Sequence, residues 1–214
     1  MQSPGDRLRV RFFGLRGYSL IELVTVIAII SILISLLVTA VGSVKEGARQ
    51  SQAKSDLSQL VAAVRAYYLA YGVYPVRRDQ EGAEVTFTTD NSELMNVLRD
   101  IPEGANAEHR LNPKQIRFLE VSPARDPDHP RSGICHGCWF DPWGPQQGKP
   151  ESGVYHVRID AAYKDEVTDP YPGADADDER ATPPPPIKSG VIAWSLAKGG
   201  VQTYELIDQV ISWR

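Results

Sequence analysis

Cysteine, methionine and histidine are scarce in this 214-residue chain, with two, two and four copies, and the sequence contains no G-x-S-x-G element, no phosphate-binding glycine loop and no H-E-x-x-H helix. The scattered acids form no convincing catalytic pair, so an enzyme is the weakest class. Basic residues are outnumbered, with 23 Lys and Arg against 27 Asp and Glu. That balance argues against a phosphate-binding surface, because non-specific nucleic-acid affinity comes from clustered cations. Two further absences are local. No proline occurs between Pro4 and Pro75, and no charged residue between Leu23 and Val41.

Nineteen uncharged residues from Leu23 to Val41 make a helix of roughly 28 Å, close to the thickness of a bilayer's hydrocarbon core. Glu22 stands at its N-terminal end, where a carboxylate needs a partner or a role. Ahead of it, residues 1–17 carry Arg7, Arg9, Arg11 and Arg16 against Asp6. The positive-inside rule keeps such a leader cytoplasmic and sends the bulk of the chain across the membrane. An uncleaved signal anchor, or a signal peptide cut after Ala40, fits the same composition less well. The run is longer than a typical signal core and begins with an acid.

The segment Gly17-Tyr18-Ser19-Leu20-Ile21-Glu22, with the basic leader before it and the apolar run after it, resembles the type IV pilin-like proteins, which include the pseudopilins of type II secretion systems. The resemblance implies a prepilin peptidase that cuts after Gly17 and methylates the new N-terminus at Tyr18, where the family usually has Phe. It implies that Glu22 meets the N-terminal amine of a neighbouring subunit during assembly. Loss of the leader removes four arginines and one aspartate, leaving 19 basic against 26 acidic residues and a formal charge of −7.

Beyond the apolar run, Leu57, Leu60, Val61, Val64, Tyr67, Tyr68 and Tyr71 recur at helical spacing. Residues 19–71 are therefore expected to form one nearly continuous helix, ended by Gly72 with Pro75 following. The expected organisation is a leader at 1–17, a long helix at 18–72 with its transmembrane segment at about 20–41, and a periplasmic head at 73–214. Strands are expected at 84–88, 115–121, 154–159, 191–196 and 201–206, with a hairpin at Gly199-Gly200 and a short helix at 93–98 capped by Ser92. The fold class is α+β: a pilin-like long helix packed on a small antiparallel sheet. Residues 169–188, an acidic cluster followed by four prolines, read as an exposed semi-rigid loop.

Cys135 and Cys138 bracket His136-Gly137 in a head expected in an oxidising compartment, so a small-loop disulfide is expected. Zinc lacks further ligands at the usual spacing, and redox catalysis lacks the helix N-terminus it needs. The YYLAYGVYP stretch, Asp141-Pro142-Trp143-Gly144, the segment from Trp194 to Gly200 and the terminal Ile211-Ser212-Trp213 look like landmarks of major pseudopilins. Some of those relatives hold calcium in the C-terminal loop. Glu205 and Asp208 are the side chains left for it here, while Lys198 stands at an expected ligand position.

The resemblance implies a filament-forming subunit of a type II secretion system, in the inner membrane with its head in the periplasm. Its implied partners are further copies of itself, the prepilin peptidase, other pseudopilins and the inner-membrane assembly platform, with no nucleic acid. A type IV pilin of a surface fibre is the alternative, and a soluble periplasmic binding or redox protein the second.

Overall fold

The computed structural model describes residues 18–149, 151–170, 185–197 and 210–212. Helix α1 runs Leu20–Tyr71, 52 residues without a proline. It ends where expected: Gly72 takes φ 74° and donates its N–H to the Tyr68 carbonyl at 2.7 Å, the left-handed cap that glycine adopts without strain. Lys114 Nζ donates to the Ala70 carbonyl at 2.8 Å, covering another open acceptor of the last turn. The chain divides into two compact units, the first ending at Lys45 and the second beginning at Glu46.

Within the second unit, α1 presents Ala53, Leu57, Leu60, Val64 and Tyr67, all buried, at alternating spacings of four and three residues. Each leucine so enclosed contributes about 1.5–3 kcal/mol by removal from water. The facing layer is a four-stranded antiparallel sheet ordered β1-β4-β5-β6 from β1 (Glu84–Phe87), β4 (His156–Asp160), β5 (Val191–Ser195) and β6 (Val210–Ile211). Register explains its two faces. Val85, Ile159 and Val191 lie across from one another, as do Phe87, Val157 and Ala193, and both rows join the core shared with α1. The alternate residues Ile192 and Trp194 enter a second cluster with Val167, Leu196, Ile187 and Ile211. All five β5 residues are consequently buried. The arrangement is α+β, a long N-terminal helix packed on a small antiparallel sheet.

Helix α2 (Ser92–Leu98) buries Leu94, Met95, Val97 and Leu98. Asn91, not Ser92, occupies its N-cap position, and no side-chain bond closes that cap. The Asp90 carboxylate instead accepts the Ser92 N–H at 2.7 Å, while Asn91 turns inward to bond the Trp139 N–H and the Trp139 and Tyr155 carbonyls. A separate hairpin pairs β2 (Gly133–Cys135) with β3 (Cys138–Phe140). Its two turn residues, His136 and Gly137, both have positive φ, 46° and 84°.

The segment 115–121 is not a strand. Asn112 captures both the N–H and the carbonyl of Ile116, and Phe118 and Leu119 both donate to the Leu98 carbonyl at the end of α2. With its polar groups taken in this way, the alternating apolar pattern needs no neighbouring strand. The strand expected at 201–206, the Gly199-Gly200 hairpin, and residues 171–184 of the acidic and proline-rich loop lie outside the described residues.

Candidate anchor and assembly segment

Tyr18 is almost fully exposed, and Gly17 lies outside the described residues. Glu22 sits in the first turn of α1, where its carboxylate accepts the backbone N–H of Ser19 at 2.8 Å. This is the backward half of a Ser-x-x-Glu capping box, and it places a negative charge at the positive end of the helix dipole. Glu22 thus has a local role in starting the helix besides the intermolecular one the resemblance implies.

From Leu20 to Leu37 the large apolar side chains stay exposed, Leu20 at 81% and Leu36 at 64%, so this segment has no cover of its own. It forms part of one helix long and apolar enough to cross a membrane, with a mean hydropathy of 2.8 over its best window. The hydroxyls within it are all turned back on the helix. Thr25 donates to the Ile21 and Glu22 carbonyls, Ser31 to Ile27 and Ser35 to Ile32, at 2.7–3.0 Å. No hydroxyl proton of these three residues is left for apolar surroundings to accommodate.

In the second unit, two carboxylates of α1 are held by aromatic donors of the head. Trp143 Nε1 donates to Glu46 Oε1 at 2.8 Å, and the Tyr155 hydroxyl donates to Asp56 Oδ2 at 2.7 Å. Burial raises the Asp56 pKa, and the Tyr155 bond offsets part of that rise. Tyr155 is itself fully buried, and burial followed by the Asp56 charge drives its pKa upward.

Asp141 organises the turn that carries Trp143. Its Oδ1 accepts the N–H groups of Trp143 and Gly144 at 2.9 and 2.8 Å, and its Oδ2 accepts the Ser195 hydroxyl at 2.6 Å. The carboxyl is fully enclosed, and burial pushes its pKa up to about 6 against these three bonds. Gly144, at φ 71°, leaves no room for a Cβ, which would lie 2.6 Å from the Pro130 carbonyl oxygen. The Asp-Pro-Trp-Gly element is therefore a packed turn that aims an indole at α1.

Cys135 and Cys138 face each other across the β2–β3 hairpin, but both are thiols, so the disulfide expected from the sequence is absent from this structure. Each sulfur has its own acceptor: Cys135 Sγ lies 3.7 Å from the Pro127 carbonyl oxygen and Cys138 Sγ 3.2 Å from Asp90 Oδ1. Burial, then the Asp90 bond, pushes the Cys138 thiol up to about 11. Glu205 and Asp208, named for calcium, lie outside the described residues. Among the described residues no group of three or more His, Cys, Asp or Glu side chains is arranged to hold a metal.

No protein-family model, curated protein or solved structure matches this chain. Sequence reasoning singled out Glu22 and the Asp141 turn but missed Glu46 and Asp56. Their partners stand 97 and 99 residues away, and only the fold brings them together. A usable signal for Asp56 was its place beside Leu57, at the margin of the buried stripe of α1.

Proposed function

We propose that this chain is a filament-forming structural subunit of the pilin type, most similar to a pseudopilin of a type II secretion system. A prepilin peptidase cuts after Gly17 and methylates Tyr18. The mature subunit waits in the inner membrane with its head in the periplasm, and copies leave the bilayer to build a filament that pushes secreted proteins outward. Lateral packing of the apolar segments supplies cohesion, and Glu22 sets the register between neighbours.

The observation that carries this reading is the conjunction at the start of α1. A Gly-Tyr-Ser-Leu-Ile-Glu junction leads directly into a helix whose first half is apolar and uncovered and whose second half is packed on an α+β head. A filament core would cover that first half as effectively as lipid does, which lets one segment serve both the stored and the assembled subunit.

Intact mass and N-terminal sequencing of the chain recovered from membranes test the reading. A chain that begins at N-methylated Tyr18 is the expected result. A chain that begins at Met1 or Val41 would remove the assembly mechanism.

A further inference from the structure

Two sets of tyrosine rings meet at the end of α1, and they differ in what becomes of their hydroxyls. Tyr67 and Tyr71, with ring centroids 4.6 Å apart, are tied down: Tyr67 donates to the Leu111 carbonyl and Tyr71 to Asn112 Oδ1. Tyr68, Tyr74 and Tyr163 form the other set. Tyr74 stacks on both of its neighbours, 4.7 Å from Tyr68 at an interplanar angle of 23° and 5.6 Å from Tyr163 at 24°. Among the described residues none of these three hydroxyls has a hydrogen-bond partner. Tyr68 and Tyr74 are half-buried, and Tyr163 is exposed.

The stack is built at a conformational cost. Tyr163 adopts φ 58°, a region that a bulky side chain rarely enters. Buried Asp160 holds it there: the Asp160 carbonyl accepts the Tyr163 N–H and its carboxylate accepts the N–H groups of Ala162 and Asp165, at 2.6–3.3 Å. Gly190 in turn makes room for Tyr74, since a Cβ at that position would lie 2.0 Å from the Tyr74 hydroxyl oxygen. Strain spent on three rings that make no hydrogen bond points to a use of the rings themselves.

We propose that the stack is an oxidative cross-linking site, at which Tyr68 and Tyr74 are joined through the ring carbons next to their hydroxyls. The oxidant is a one-electron acceptor of the haem peroxidase class, used twice. Each phenol gives one electron to the oxidant and its hydroxyl proton to water. The two radicals form one carbon–carbon bond, and the hydrogen on each newly bonded carbon then moves to the oxygen, restoring both phenols. The net loss is two electrons and two protons. Distance alone would favour Tyr67 and Tyr71 equally, but their hydroxyl protons are held by protein acceptors and Tyr67 is buried. The new bond joins the last turn of α1 to the segment beyond Gly72, a covalent staple across the glycine stop. It stands independently of the filament reading.

The test uses the full-length chain in detergent at low concentration, illuminated briefly with tris(bipyridine)ruthenium(II) and persulfate, which supply the one-electron oxidant. Trypsin releases Tyr67, Tyr68, Tyr71 and Tyr74 together in peptide 66–77, and Tyr163 in peptide 159–164. The expected product is peptide 66–77 lighter by two hydrogen atoms and carrying dityrosine fluorescence. Tyr68→Phe and Tyr74→Phe should each lower that product by roughly tenfold, because rings held in contact couple far faster than rings that must find one another. Tyr71→Phe and Tyr163→Phe should leave it within about twofold of the parent. The phenylalanine variants keep the rings, so a loss of product tracks the phenol and not the packing. A main product that links peptides 66–77 and 159–164, links two chains, or gains oxygen without coupling overturns the site. Parent-like product from Tyr68→Phe or Tyr74→Phe, or a loss of product in Tyr71→Phe or Tyr163→Phe, overturns the assigned pair.

Discussion

The indole N–H of Trp143 lies 2.8 Å from a carboxylate oxygen of Glu46, tying a loop of the head to the first residue of the second compact unit. The tie is anchored from behind, because Trp143 is buried and its backbone N–H is fixed by Asp141. Trp143→Phe keeps an aromatic ring in the core and removes the donor. We expect a loss of about 1 kcal/mol plus the cost of the smaller ring, measured by denaturant unfolding of the detergent-solubilised chain. Glu46→Gln retains an acceptor and should cost less than Trp143→Phe; the reverse order would refute this assignment.

Tyr155 and Asp56 form the deeper tie. Tyr155→Phe removes the one side-chain donor that offsets the burial of Asp56, so the Asp56 pKa should rise further and stability should fall by about 1–3 kcal/mol. Carbon-13 NMR titration of the Asp56 carboxyl checks the first effect directly. A fall in that pKa would contradict the geometry.

Asp141 imposes a pH dependence of defined sign. The folded chain binds its proton at about 6 and the unfolded chain near 3.8, so the folded state holds more protons in that window. Stability from this group is greatest below about 3.8 and falls as pH rises through 6, by on the order of 3 kcal/mol. Buried His156 acts oppositely, because burial depresses its pKa and the unfolded chain takes up the proton first as pH falls below about 6.5. The clean observable is the difference between Asp141→Asn and the parent. It should shift in favour of the variant by roughly 2 kcal/mol between pH 4 and pH 7 in denaturant titrations, and a flat difference would exclude the effect.

Cys138 in the reduced protein should alkylate slowly. With its thiol pushed up to about 11 and its sulfur bonded to Asp90, the native protein at pH 8 should react with iodoacetamide at least about tenfold more slowly than the unfolded chain. Mass spectrometry of the labelled peptide follows the rate. Asp90→Asn should speed the reaction, since it removes the negative charge beside the sulfur.

Glu22→Ala separates the observed helix cap from the proposed assembly role. Loss of the Ser19 cap should cost about 1 kcal/mol of local helix stability and leave cleavage after Gly17 intact, whereas polymer formation should fail. Shear fractionation alongside N-terminal sequencing distinguishes the outcomes, and a normal polymer yield would remove the assembly role.

The elements legible in the sequence were those whose reasons are local. The buried stripe from Leu57 to Tyr67, the glycine stop at residue 72, and strands β1, β4 and β5 follow from periodicity and turn chemistry. Two misreadings share one cause. Residues 115–121 carry strand-like alternation, but Asn112 takes up the polar groups of Ile116; and Ser92 looks like a cap, but Asp90 takes its N–H. Short polar side chains diverted the backbone in ways that apolar patterns do not record. The β2–β3 hairpin was missed because Cys-His-Gly-Cys was weighed for its sulfur chemistry, while the positive φ of His136 and Gly137 makes it a turn. The bonds of Glu46 and Asp56 depend on distant segments meeting.

Thr25, Ser31 and Ser35 give their protons to their own helix, so no side of that stretch is marked out as the polar one. A rod without a marked side has no preferred azimuth: it can spin among lipid tails, or exchange a lipid neighbour for a protein one, while the count of hydrogen bonds stays constant. Alignment of such a stretch against any neighbour must then come from groups outside it.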